Sequence, residues 1–401
     1  MPTAATKPRP AQPHDAPASP AATPAKVGPP PRPRSRSLLG DLAGRTKAFV
    51  TARPRLRAQL EVMRTALREW RRPTHEGRAQ AAYLNRYFKR EHLGPVARWR
   101  CRVDLQRCQN LFGADAFDYV LYGFRALPDE EKAGFVTNWR RVAYYRRLNR
   151  AENKHLFKNK DETHRCFGPF FQRDFLLLQN ADDLPRFEAF CAKHDEFICK
   201  PRNAACGKGV RRSQAALATE RAAQLRDLLR EYGGELVVEE RIRQAPELAV
   251  FHPSSVNTVR ITTLLLGDAP VLYHPFLRTG VGGAVVDNGG AGGILAAIDP
   301  ATGVLFTDGR DEDGVYYPRH PDTGIVYRGF QIPRWAEVAE LAGRLCRIVP
   351  GERYTGWDFA LTPRGWVLVE ANHRGQFVGF QMLTRQGCRH EFESLLAAHG
   401  V

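Results

Sequence analysis

Hydrophobic and polar positions follow two different periods along the chain. Between residues 37 and about 160 the spacing is helical. In "RPRLRAQLEVMRTALREWRR", Leu56, Leu60, Met63, Leu67 and Trp70 recur at steps of four and three, giving one apolar stripe. From about residue 170 short apolar runs of strand length take over. "EFICKPR" predicts a strand, "NAACGKGV" a glycine-containing loop, Gln214 to Tyr232 a helix, and "ELVVEERI" the next strand. "VNTVRITTLLLGDAPVLYHPFLRTG" predicts two strands joined at Gly267-Asp268, and "GVGGAVVDNGGAGGI" leads into a further pair around "DPATG". A helix over about 335–347 precedes "WDFALTPRGWVLVEAN", Trp357 to Asn372, which folds back at Pro363-Arg364-Gly365. Strand, loop, helix, strand and then a mostly antiparallel sheet is α+β order, without the regular alternation of a parallel α/β fold. No internal repeat is found.

Composition sharpens this picture. The 401 residues can support two or three lobes with a real core, and 43% are hydrophobic. No apolar run approaches the roughly 20 residues that cross a bilayer. The opening "MPTAATKPRPAQPHDAPASP" lacks the apolar segment of a secretory signal, so a cytoplasmic protein is expected. Eight cysteines without a Cys-x-x-Cys pair argue against a disulfide framework or a zinc site.

The net charge of +17 is uneven: residues 1–150 hold 30 Lys+Arg against 12 Asp+Glu, and the remainder holds 30 against 31. Three regions follow: a Pro/Ala-rich arm (1–36), expected to be disordered; a basic helical region (37–160); and an α+β domain (161–401). The basic excess suits an anionic surface contact through residues 37–150, such as the inner face of a membrane. Seven arginines surround the Leu56–Trp70 stripe, which fits either an interfacial helix or, more simply, packing on a neighbouring helix.

The hairpin poses a chemical question. Asp358, Glu370 and Asn372 interrupt strands that otherwise read as core. Side chains alternate along a strand, so Glu370 and Asn372 share a face, and a three-residue turn at 363–365 sets Asp358 opposite Glu370. Two unpaired carboxylates there would repel each other and raise a pKa. A divalent cation removes that conflict, and two carboxylates with an amide suit Mg²⁺ that completes its shell with phosphates and water. An exposed hairpin face would carry the same residues simply solvated.

A second group precedes it. Lys200 ends an apolar strand, a poor place for a charge without an anionic partner. Gly207 and Gly209 flank Lys208 in a loop whose amides can close over phosphates, although the spacing is neither of the common phosphate-loop patterns. "LVVEERI" carries Glu239 and Glu240 into Ile242, and as a strand edge it can offer backbone groups to a base, with Glu247 accepting from ribose hydroxyls. A charged, protective edge explains it equally well. Arg260 and Arg278 sit in apolar strands, where a guanidinium needs an anion or a structural carboxylate.

Taken together, "KPRNAACGKGV", "VVEERIRQAPEL", "PSSVNTVRITT", "VDNGGAGGI", "HPDTG", "IPRW", "GWDFAL" and "VEAN", with "AENKHLF" at 151–157, resemble the sugar-transfer-associated branch of the ATP-grasp superfamily. The resemblance implies two α+β lobes gripping ATP. It implies Lys200, Lys208 and the glycines Gly207 and Gly209 on the phosphates, Glu239, Glu240 and Ile242 at adenine, and Glu247 and Asn257 also in the nucleotide site. It further implies Asp358, Glu370 and Asn372 on Mg²⁺, with Arg260, Arg278 and Lys208 at the transferred phosphoryl group. The family often has His where this chain has Ala245. The activity so implied is joining a carboxylate to an amine through an acyl phosphate, and the family's name directs it to saccharide work. "DNGGAGG" (Asp287 to Gly293) is a candidate lining for the acceptor pocket. Phosphoryl transfer to a hydroxyl on the same scaffold, and a basic adaptor with a vestigial nucleotide site, are the competing expectations.

Overall fold

The computed structural model describes residues 75–204, 207–283 and 292–401. The Leu56–Trp70 stripe, the Pro/Ala-rich arm and most of "DNGGAGG" lie outside the described residues.

Helices open the described chain: α1 (His75–Arg90), α2 (Pro95–Phe112), α3 (Ala116–Leu121), α4 (Asp129–Ala133) and α5 (Asn138–Leu148). Asp115 starts α3 with a capping box, accepting from the Asp118 amide at 2.9 Å while Asp118 reaches back to the Asp115 amide. Two more helices, α6 (Lys154–Lys158) and α7 (Lys160–Phe171), lead into a small lobe. That lobe holds β1 (Phe175–Leu178), α8 (Leu184–Cys191), β2 (Glu196–Pro201), β3 (Arg211–Gln214), α9 (Arg221–Glu231) and β4 (Leu236–Glu240). Its four strands form an antiparallel sheet in the order β1-β4-β2-β3.

The larger sheet follows α10 (Pro246–Ala249). It is built from β5 (Thr258–Leu265), β6 (Pro270–Thr279), β7 (Ile294–Ala297), β8 (Gly309–Arg310) and β9 (Tyr316–Tyr317). After α11 (Trp335–Leu345) it is completed by β10 (Tyr354–Thr362) and β11 (Gly365–Asn372); α12 (Val378–Thr384) and α13 (Arg389–Ala398) close the chain. The seven strands run antiparallel in the order β11-β10-β5-β6-β7-β8-β9. The order is α+β, as the two periods predict.

Both faces of the large sheet are covered, which explains why β5 and β10 read as nearly continuous apolar runs. On one face Val259, Ile261, Trp357, Phe359 and Leu368 pack with Val338, Ala342 and Leu345 of α11 and Phe167 of α7. Each Val, Leu, Ile or Phe among them contributes about 1.5–3 kcal/mol on burial. On the other face Phe276, Leu295 and Ala297 meet Phe88, Tyr119 and Tyr122 of the N-terminal helices. Leu264, Tyr273 and Tyr354 meet Tyr144 of α5 and Phe392 of α13 on that side too. Arg260, Asp358, Glu370 and Asn372 occupy the positions alternating with the first set.

Three local expectations are corrected. The helix expected from Gln214 begins at Arg221, because Arg211–Gln214 is taken into the sheet as β3. The segment read as a strand edge, β4, is interior, since Glu239 is in register with Phe175 of β1 on one side and Ile198 of β2 on the other. Its backbone groups are therefore committed to the sheet through Glu240. The turn of the β10–β11 hairpin is two residues, Pro363-Arg364, with Thr362 paired to Gly365. A β-bulge then leaves Val369 without a partner, so that Phe359 pairs with Leu368 but Asp358 pairs with Glu370.

Candidate active site

Register places the charged side chains in a row. Glu370 on β11, Asp358 on β10 and Arg260 on β5 are directly opposite one another across three adjacent strands. Asp358 is buried and takes a bidentate clamp from Arg260: Nε donates to Oδ1, and Nη2 to Oδ2 at 2.8 Å. Arg278 Nη2 lies 2.9 Å from the same Oδ2. Burial by itself would raise the Asp358 pKa, but the two guanidiniums outweigh it and hold the carboxyl below its usual range.

Glu370 behaves oppositely. Burial, and next the Asp358 charge, push its pKa up, against the pull of Arg260, Lys160 and Lys200. Among the described residues no hydrogen bond reaches its carboxylate. Two residues on, the Asn372 Nδ2 is buried without a partner. The loop after β11 packs beside this row: Gln376 Oε1 accepts from Arg260 Nη1 at 3.1 Å, and Tyr145 donates to the Gly375 carbonyl at 2.5 Å. Asn149 pins the same corner, exchanging hydrogen bonds with the Tyr354 backbone at 2.9 Å each and donating to the His373 carbonyl.

The small sheet brings a second cluster. Glu239 is buried and accepts from Lys200 Nζ at 2.8 Å and from Arg173 Nε at 2.9 Å. Burial opposes its ionisation, yet Arg173 and Lys200 hold its pKa down to about 2. Arg173 also donates to the carbonyls of Leu368 (2.6 Å) and Val369 (3.2 Å), so it fastens the small sheet to the bulge next to Glu370. Lys160, at the start of α7, donates to the Ala204 carbonyl at 2.7 Å. Burial lowers its pKa, partly offset by Glu370. Among the described residues, Arg173, Lys160, Lys200, Arg260 and Arg278 thus surround three carboxylates, Glu239, Glu370 and Asp358. The surplus is cationic and suits a polyanion.

The remaining expected residues lie apart. Gly207 and Gly209 adopt φ of +68° and +73°, conformations that favour glycine, and Lys208 between them is exposed at the tip of the β2–β3 connection. Tyr232 donates to the Gly209 carbonyl at 2.8 Å. Glu240 accepts from the Asp174 amide at 3.1 Å, and Arg241 and Ile242 run on past the end of β4. Glu247 is exposed on α10. Asn257 is buried and donates to the carbonyls of Leu248 and His252 at 2.9 and 3.0 Å, fastening the α10–β5 connection. Ala245 is buried in the main core.

Sequence reasoning missed Arg173, Lys160 and Gln376. Arg173 carried a signal, a charge set immediately before the apolar run "FLLL". Lys160 stands close behind "AENKHLF". Gln376 carried none.

The donor set can be tested against a dication. No three His, Cys, Asp or Glu side chains gather around one point among the described residues, so two carboxylates and an amide are the most this site offers. Glu370 accepts nothing, and the amide of Asn372, whose oxygen and nitrogen ends are interchangeable on geometry, has an unpartnered end. Asp358 Oδ2 accepts from two guanidiniums, but Oδ1 accepts from one and keeps a lone pair. Hard oxygen donors in this number fit Mg²⁺ better than a fully protein-caged ion.

The sequence model of one family, described as sugar-transfer associated ATP-grasp, matches residues 139–396. No curated protein matches the chain. Among solved structures, the chain is similar to D-alanyl-alanine synthetase A from Vibrio cholerae, at 11% identity and a TM-score of 0.38, over 61% of this chain and 64% of that one. It is similar to the D-alanine-D-alanine ligase from Coxiella burnetii at 12% and 0.35, over 62% and 63%. A RiPP-associated ATP-grasp ligase from Chryseobacterium gregarium, in complex with ADP and a leader and core peptide, matches at 11% and 0.34, over 65% and 68%. The chain spans less than two thirds of the length of the first two, and scores this low support no inference about chemistry.

Proposed function

Because the chain belongs to the sugar-transfer associated ATP-grasp family, we propose that it is an ATP-dependent ligase joining a carboxylate to an amine. The supporting observation is the meeting of two charge clusters at one place. Lys200 and Arg173 around Glu239 come from the small sheet, and the Glu370–Asp358–Arg260 row comes from the large one. Arg173 touches both.

In this reading Lys200 and Lys160 neutralise the triphosphate. Lys200 has three donor protons and the structure commits one of them, to Glu239. Arg260, anchored by Asp358, keeps its Nη1 edge on Gln376, where it can follow charge developing on the transferred group. Mg²⁺, held by Glu370, Asn372 and the remaining lone pair of Asp358, would neutralise phosphate charge. An oxygen of the acid attacks the γ-phosphorus as the bond to the β-phosphate oxygen breaks, releasing ADP. The amine nitrogen then attacks the acyl carbon, phosphate leaves, and the nitrogen loses a proton. The family description directs attention to acids or amines carried on saccharides.

The test is a screen of acid–amine pairs with Mg²⁺ and ATP, reading ADP release and then product masses. ADP and free phosphate formed only when both partners are present, with a product joined by loss of water, is the expected result. A phosphorylated hydroxyl product would replace the ligase by a kinase. No nucleotide turnover, together with no thermal shift on adding Mg²⁺ and ATP, would overturn the reading.

A further inference from the structure

The N-terminal half of α2 presents a surface that the site does not use. Pro95 starts the helix and the left-handed Gly113 ends it, giving 18 residues, about 27 Å of rod. Its inward side is ordinary, with Cys101 and Cys108 buried among aromatic side chains of α1 and α3. Its outward side is not. Val96, Trp99 and Val103, spaced three and four apart on one stripe, are 64%, 60% and 37% exposed. Single exposed apolar residues are common, but an exposed tryptophan between two valines on one helical stripe is a patch.

The charges around that patch have one sign. Arg98, Arg100 and Arg102 flank it, and none of the three has a carboxylate within ion-pair distance among the described residues, whereas Arg107 further along is clamped by Asp129. Arg102 lies over the Phe88 ring, and Arg98 caps the Leu93 carbonyl, so two of the stems are held against the helix pair. The family match begins only at residue 139, after α2, and the chain's whole positive excess lies within residues 1–150. The patch therefore belongs to a basic addition to the catalytic part.

We propose that this face of α2 docks on an anionic lipid surface. Tryptophan and valine enter the boundary between headgroups and acyl chains, while the guanidiniums stay at headgroup level above them. A nucleic-acid backbone would satisfy the arginines but leave Val96 and Val103 without a partner. A second copy of the chain would bring the same arginines against each other across a twofold axis. No described helix is long and apolar enough to cross a membrane, so the contact is peripheral.

The experiment is flotation of the full chain with phosphatidylcholine vesicles and with equimolar phosphatidylcholine and phosphatidylglycerol. It compares the wild type with two variants, Trp99→Ser/Val103→Ser and Arg98→Gln/Arg100→Gln/Arg102→Gln. The expected result is binding to the anionic vesicles only. It should fall on the order of 100-fold in the triple arginine variant, from loss of three near-surface charges, and clearly in the apolar variant as well. These side chains are exposed or half-exposed, so circular dichroism should be unchanged. The proposal is overturned if the wild type does not float. It is equally overturned if the apolar variant floats as well as the wild type, since the basic residues elsewhere would then be sufficient. Light scattering that shows a dimer dissolved by the apolar variant would assign the face to self-association instead.

Discussion

Arg173 and Glu239 form the ion pair on which the small and large sheets meet: the guanidinium that holds the Glu239 carboxylate of β4 also caps two carbonyls of β11. Both side chains are nearly buried, at 4% and 7% exposure. Removing Arg173 leaves Glu239 to Lys200 alone and strips a donor from each of two carbonyls, which costs about 1–3 kcal/mol. Arg173→Ala should lose stability of that order in urea unfolding, and its midpoint concentration for Mg²⁺ in ATP turnover should rise, because the bulge beside Glu370 is released. A loss under 1 kcal/mol with an unchanged Mg²⁺ dependence would remove the joint from the account.

Glu370 is expected to trade stability for activity. Its folded pKa is raised, first by burial and then by Asp358. Between the unfolded and folded values the folded state binds more protons, so stability falls as pH rises through that window and stays reduced above it. Glu370→Gln removes a poorly compensated charge. Without Mg²⁺ it should melt higher than the wild type at mildly alkaline pH, and it should turn over no ATP. A variant that melts lower, or one that still consumes ATP, contradicts the assignment.

Asp358 has the opposite sign. Burial would raise its pKa, but Arg260 and Arg278 bring it below the ordinary carboxylate range. Its stabilisation is therefore complete above the unfolded carboxylate pKa and is lost as pH falls through the depressed folded one. Asp358→Asn should flatten the acid limb of the stability profile relative to wild type. Acid unfolding curves that superimpose would show that the clamp is not felt.

Arg260→Lys keeps a charge but cannot maintain the fork on Asp358 and the bond to Gln376 together. Turnover should drop on the order of 10²–10³, the usual cost of losing one positioned donor, with little change in the KM for ATP. A rise in KM at constant kcat would instead place Arg260 in ground-state binding.

Gly375→Ala probes the corner next to that bond. A methyl group at residue 375 would overlap the ring of Tyr354 and the methyl of Thr262. The chain must shift, and Gln376 shifts with it. A stability loss of about 1–3 kcal/mol, the range for overpacking, should accompany reduced turnover. An unperturbed melting curve would show that the loop moves aside at no cost.

Much of this was legible in the sequence because strand alternation is a local property. The apolar positions of β5 and β10 fix which side Arg260 and Asp358 occupy, whereas Glu370 shares the parity of the core residue Leu368 and reaches that side only through the bulge at Val369. What failed was non-local. Nothing in "LVVEERI" says that β1 will cover it on one side and β2 on the other, so an interior strand read as an edge. Arg173 finds its carbonyl acceptors nearly 200 residues away, and only the folded sheets bring them together. The helix expected from Gln214 started late because polar residues can pair as a strand when a neighbour supplies the ladder, which propensity does not foresee.

The unpaired Val369 has a consequence for chain length. A tight two-residue tip by itself would offset the two strands by one and turn Glu370 away from Asp358; the additional residue midway restores the count. Val369 is thus slack that the ribbon absorbs at one point. Deleting it alone should leave Asp358 facing Glu370 and turnover retained, whereas deleting Leu368 with it should turn Glu370 to the other face and abolish turnover.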